Sequence, residues 1–152
     1  MTDYISLQKQ ARSLISGCKY LFANLSNLSA LINDNLDDIN WAGFYLVKDE
    51  KLVLGPFQGK PACIEIPIGK GVCGEALKKD TTLVVPNVHL FKGHIACDSE
   101  SNSEIVIPIH KDGVSVGVLD IDSKEFDRFS LLDQEGLEGL VKVIEEELSN
   151  EL

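Results

Sequence analysis

Apolar residues recur near the helical period through the first third of the chain. Leu14, Ile15, Cys18, Leu21, Phe22, Leu25, Leu28, Leu31 and Ile32 form one stripe within residues 4–33. This predicts a helical N-terminal third, broken or bent at Gly17, with Cys18 on the apolar side. After the polar stretch 33–40 the pattern changes. Residues 41–47 are aromatic and apolar, as strands are; residues 48–51 form a charged turn, and residues 52–56 return as the second arm of a hairpin. A further short strand is expected at 62–68, then a glycine-rich turn at 69–74, a short helix near 75–79 and a strand at 81–85 closed by Pro86. Residues 87–102 are polar and aperiodic, the signature of a long loop kept for a functional reason. Two strands, 103–109 and 113–121, flank the turn HKDG at 110–113, a strong hairpin signal. The tail from 130 to 148 reads as an acidic helix with Leu132, Leu137, Leu140, Val141 and Ile144 on its apolar side.

Helices at both ends of a run of antiparallel hairpins predict an α+β fold, with an antiparallel sheet flanked by the N- and C-terminal helices and covered on one face. A chain of 152 residues with 44% hydrophobic content supports one core, so a single domain spanning 1–152 is expected. No run approaches the ~18 apolar residues of a membrane span, and the N-terminus lacks the blocks of a secretory signal, which points to a soluble cytoplasmic protein. With 14 basic and 24 acidic residues the net charge is −10, so nucleic acid and anionic membranes are poor partners. Four cysteines are few for a disulfide scaffold and fit a transient, catalytic disulfide better.

Candidate chemistry centres on Cys97, within GHIACD at 93–98 in the long loop. Thiolate chemistry needs such access, although a free cysteine is equally often a small buried hydrophobe. Cys63 and Cys73 flank the glycine turn, so three cysteines within 63–97 allow a nucleophile with one or two resolving partners. Cys18 reads as core. Glu104 opens the strand after the loop, and alternation puts Asp120 and Asp122 on one face of the next strand, where they either share a proton or a cation or form a solvated strand end. Trp41 and Tyr45 share a face and either wall an apolar pocket or are plain core. Gly69, Gly71 and Gly74 match a dinucleotide spacing without the strand and acidic residue it needs. Cys63, Cys73, His94 and Cys97 lack the paired spacing of a zinc site, and His89 and His94 are adequately explained as polar loop positions.

Taken together, NWAGFYL at 40–46, LGPFQGKPAC at 54–63, GKGVCG at 69–74, HIACDSESNSE at 94–104 and GVLDIDS at 117–123 resemble the free methionine (R)-sulfoxide reductases, a family of GAF-domain proteins, over nearly the whole chain. The resemblance implies that Cys97 attacks the substrate, that Cys63 is the main resolving cysteine and that Cys73 is a third able to enter exchange. It also implies that Glu104, Asp120 and Asp122 contact the polar end and sulfoxide of the ligand while Trp41 and Tyr45 form the pocket for its methyl group. The partners implied are free methionine-(R)-sulfoxide and thioredoxin, in a homodimer needing no metal or organic cofactor. The competing readings are a GAF-type sensor that binds a ligand without reacting, which usually comes joined to an output domain where a single domain is expected here, and a structural zinc protein.

Overall fold

The computed structural model describes residues 1–94 and 99–152. The expected N-terminal helix is two helices, α1 (Tyr4–Ile15) and α2 (Leu21–Asn35). Gly17 separates them in the left-handed region, at φ 77°. Cys18 therefore sits in the connecting turn, half-buried, rather than on a helix face in the core. A stripe drawn through one axis does not survive two, and Phe22, expected on it, is 75% exposed.

Six strands follow: β1 (Trp41–Lys48), β2 (Lys51–Gly59), β3 (Glu65–Pro67), β4 (Leu83–Val85), β5 (Ser103–Lys111) and β6 (Val114–Ser123). They form one sheet in the order β3-β2-β1-β6-β5-β4, every neighbour antiparallel. Both long hairpins close on two residues of positive φ, Asp49 and Glu50 in one and Asp112 and Gly113 in the other, whose backbone twist matches that of paired strands. Helix α3 (Gly71–Lys79) starts before the expected position, so Cys73 lies in its first turn and does not merely flank a glycine loop. Helix α4 (Leu131–Glu147) begins on a capping box between Ser130 and Asp133.

The sheet is covered on both faces, not one. Helices α1, α2 and α4 pack Leu7, Leu28, Leu140 and Ile144 against Phe44, Ile105, Leu119 and Ile121. The connection through α3 joins the two edge strands β3 and β4, so it must cross the opposite face, where Val72, Ala76 and Leu77 meet Tyr45, Val106 and Val118. Single-helix periodicity at the C-terminus misplaces one residue: Leu132 is 58% exposed, because α4 turns its Asp133, Leu137, Leu140 and Ile144 face inward. No helix among the described residues is long and apolar enough to cross a membrane.

His110 ties α3 to α4. Its Nε2 meets Asp80, the left-handed C-cap of α3, and Glu145 of α4 accepts from both its backbone N–H at 2.6 Å and its Nδ1 at 3.0 Å. Partial burial pulls the imidazolium down, but the bonds to Asp80 and Glu145 outweigh it and hold the pKa above the ordinary histidine value. The stabilisation is then full below the unfolded value of about 6.5 and is lost as pH rises through the higher folded one. His110→Gln should lower the thermal midpoint by roughly 2–4 °C at pH 6, the effect of ~1 kcal/mol in a chain of this size. That difference should shrink by pH 9; thermal scans of both proteins at the two pH values check it.

Candidate active site

Strand register builds the site. One row runs across five neighbouring strands, pairing Gly59 with Trp41, Trp41 with Asp122, Asp122 with Glu104 and Glu104 with Val85. The next row on the same face pairs Phe57 with Gly43, Gly43 with Asp120 and Asp120 with Val106. Asp120, Asp122 and Glu104 thus come together on the face crossed by α3 because each stands an even number of residues from its strand neighbours. Gly43 is required between Asp120 and Phe57, since a Cβ there would lie 2.3 Å from that of Phe57.

The cavity on this face is lined by Trp41, Tyr45, Cys73 and the three carboxylates, together with Gly71 and Val72 from the first turn of α3. Pro61, Ala62, Ile66, His94 and Ser101 complete its wall. Sequence reasoning missed these last five. His94 lies within a quoted motif, but nothing local to it says that its side chain reaches the cavity.

Aromatic side chains shape the wall. Trp41 stacks on Phe57 with ring centroids 5.0 Å apart and on Tyr45 at 5.9 Å. Trp41 Nε1 donates to the Lys60 carbonyl at 3.1 Å and Tyr45 Oη to the Cys63 carbonyl at 3.0 Å. The two rings therefore do more than fill space: their polar ends hold the segment that carries Cys63. Cys63 is disulfide-bonded, whereas Cys18 and Cys73 are free thiols. Cys97 lies outside the described residues, so its assignment as nucleophile rests on the sequence.

Asp120 and Glu104 are each only 6% exposed, which excludes the solvated strand end for both; Asp122 is half-buried. No lysine or arginine among the described residues lines the cavity. Burial, then the charges of Asp120 and Asp122, push the Glu104 carboxyl well above the usual carboxylate range, and burial also raises Asp120. Burial, then Asp120 and Glu104, push the Cys73 thiol up, so it stays neutral and a poor nucleophile. Desolvation, then His89, lowers His94, favouring neutral imidazole. The Cys73 thiol points at Glu104 with Sγ to Oε2 at 3.9 Å, and Asp120 Oδ1 is buried without a hydrogen-bond partner among the described residues. Such a site holds protons on its acids and is short of one positive charge.

Residues 16–148 match the GAF domain family. The chain is 50% identical over 146 residues to the free methionine-R-sulfoxide reductase of Escherichia coli (strain K12), an alignment covering 96% of this chain and 88% of that one. Among solved structures it is similar to fRMsr of Staphylococcus aureus in complex with substrate, at 59% identity and TM-score 0.93 over 97% of each chain. It is also similar to the free methionine-R-sulfoxide reductase from Neisseria meningitidis in complex with its substrate, at 41% identity and TM-score 0.94, covering 97% of this chain and 89% of that one.

Burying repelling acids costs stability that a neutral side chain recovers. A carboxyl with a raised folded pKa contributes fully below its unfolded value of about 4.3, and that contribution is lost as pH rises through the folded one. Glu104→Gln should leave the thermal midpoint near that of the parent at pH 4 and raise it at pH 8 by roughly 2–4 °C, the equivalent of ~1 kcal/mol. Thermal scans at the two pH values check the sign.

Proposed function

We propose that this chain, which belongs to the free methionine-R-sulfoxide reductases of the GAF domain family, reduces the R epimer of free methionine sulfoxide with thioredoxin as electron source. The observation that carries this reading is the cavity itself: three carboxylates with no lysine or arginine among the described residues, walled by Trp41 and Tyr45. An ammonium group supplies the missing charge, and Asp120 and Asp122 hold it by charge-assisted hydrogen bonds. The first turn of α3 has no side-chain cap on Lys70, and its free N–H groups, at Gly71 and Val72 beside the cavity, complement the substrate's carboxylate. The aromatic wall receives the methyl end.

Cys97 attacks the sulfoxide sulfur while the protonated Glu104 gives a proton to the departing oxygen. The oxygen passes to the cysteine, methionine leaves with its sulfur reduced, and Cys97 is left as a sulfenic acid. The Cys63 thiol condenses with it, forming a disulfide and releasing water; Cys63 is the disulfide-bonded cysteine of the described residues, which supports its role over that of the buried Cys73. The thioredoxin dithiol then reduces that bond by exchange, and its reach places the enzyme in the cytoplasm. Cys73 serves as a third thiol in that exchange. A homodimer fits the exposed apolar residues Ile5, Tyr20 and Phe22 on and beside the N-terminal helices.

The test is oxidation of NADPH through thioredoxin and its reductase, comparing free L-methionine-R-sulfoxide, the S epimer and a peptide-bound sulfoxide. Turnover with the free R form alone is expected; equal turnover with the peptide overturns the role given to the ammonium. Cys97→Ser should abolish turnover, and retained activity removes it as nucleophile. Asp120→Asn should raise KM by about 10–100-fold, the ~1.5–3 kcal/mol of a hydrogen bond to a charged group, with a smaller change in kcat. Cys63→Ser should keep one stoichiometric reduction per chain and lose thioredoxin-driven recycling, or reroute it through Cys73.

A further inference from the structure

Three donors of mixed chemistry converge under α3. The Sγ of Cys73 and one carboxylate oxygen each from Glu104 and Asp120 all lie within 4.8 Å of one another. The three residues are 4%, 6% and 6% exposed, on three different elements fixed by helix and sheet hydrogen bonds. Asp120 Oδ1 adds an independent sign, being a buried acceptor on the cavity wall with no donor among the described residues. A buried acceptor without a partner costs free energy that a ligand in the cavity recovers.

We infer that the reduced chain binds a divalent cation of the zinc class at Cys73, Glu104 and Asp120, with a fourth position open to the cavity. Donor chemistry selects the class. A thiolate with two carboxylates suits zinc or cobalt(II), while calcium and magnesium take six or more oxygens. Bond lengths of about 2.3 Å to sulfur and 2.0–2.2 Å to oxygen put tetrahedral donors roughly 3.3–3.7 Å apart, so a spacing within 4.8 Å contracts by about 1.5 Å at most. Binding forms metal–sulfur and metal–oxygen bonds and sends the protons of the thiol and carboxyl to solvent; no electron moves. The donor set differs from the Cys63, Cys73, His94 and Cys97 grouping that the sequence suggests and then discourages, because two of its three members are carboxylates far apart in the chain.

The consequence for activity rests on the proposed reductase reading, whereas binding does not. An ion on Asp120 occupies the place of the substrate's ammonium, so zinc inhibits in competition with methionine sulfoxide and is displaced by a chelator.

Anaerobic titration of the reduced Cys63→Ser, Cys97→Ser double variant with cobalt(II) isolates the site from the other loop thiols. One ion per chain is expected, with a near-ultraviolet thiolate-to-cobalt band and tetrahedral visible bands. Cys73→Ala in that background should remove the thiolate band, and Glu104→Gln, a substitution expected to stabilise the fold, should weaken binding by more than the ~tenfold that loss of an outer partner costs. Absence of the band, or its survival in the Cys73→Ala background through Cys18, overturns the site. In the parent enzyme, zinc should raise the apparent KM for methionine sulfoxide without changing kcat; inhibition unrelieved by substrate overturns the competition. The optical titration reads the metal without turnover, so an inactive chain that binds cobalt defeats the reductase reading alone, and an active chain with no thiolate–cobalt band defeats the metal site alone.

Discussion

Two nearly buried carboxyls and a buried thiol, with a third carboxylate beside them and no lysine or arginine among the described residues lining the cavity, are the constraint on which the rest of the structure depends. Desolvation opposes each charge and the charges oppose one another, so Glu104, Asp120 and Cys73 are all pushed toward their protonated forms. A flexible site would relieve this strain by turning the acids out to water. Here Asp120 and Glu104 are held in register on two central strands, paired along their length, with a helix-dominated core on the other face. The rigidity of that face lets unfavourable electrostatics persist on this one, as is expected where a site is shaped for a ligand and not for stability.

Topology explains why the cavity lies where it does. The short edge strands β3 and β4 are joined through α3, and a link between opposite edges must pass over the sheet. That crossing roofs the acids with the first turn of a helix, a region of positive potential, and brings Cys73 down beside them. The wall formed by residues 60–63 is fastened by donors from the floor, Trp41 Nε1 and Tyr45 Oη. Lys60 and Lys124 both bridge to Glu100, tying the C-terminal end of the loop to two strand ends. These are exposed ion pairs of small individual worth.

Much of the sheet is legible in the sequence because its signals are local. The alternation of Trp41 with Tyr45 and of Asp120 with Asp122 fixes which side chains share a face, and DG at 112–113 marks its hairpin. The shared face of β1, β6 and β5 follows only once the strands are paired, which spacing alone does not reveal. Errors arise where one axis is assumed for two helices, as at Phe22 and Cys18, and where an apolar residue near a helix start falls off the inward face, as at Leu132. The second covered face escapes notice because α3 is only nine residues long and its apolar Val72, Ala76 and Leu77 are few. His94 and Ser101 reach the cavity through the fold of a loop, where no period exists to read. Motif resemblance, by contrast, names Cys73, Glu104, Asp120 and Asp122, which lie on three different elements, together with Cys63 between β2 and β3.

Selectivity for a free amino acid follows from the same constraint in the proposed reaction. The carboxylates do not need a particular side chain; they need a positive charge that can enter with three N–H donors. A residue inside a polypeptide offers a neutral amide with one N–H, which leaves Asp120 Oδ1 or its neighbours buried and unpaired. Discrimination of this kind is steep, because the rejected ligand loses a favourable contact and also leaves the site's own polar groups without partners. The methyl end contributes less, since an apolar wall such as Trp41 and Tyr45 separates similar groups by only about 1–3 kcal/mol. In that proposed reaction the buried carboxyls, which give up their protons when a cation enters, carry the specificity, and the same property underlies the proposed metal site with Cys73.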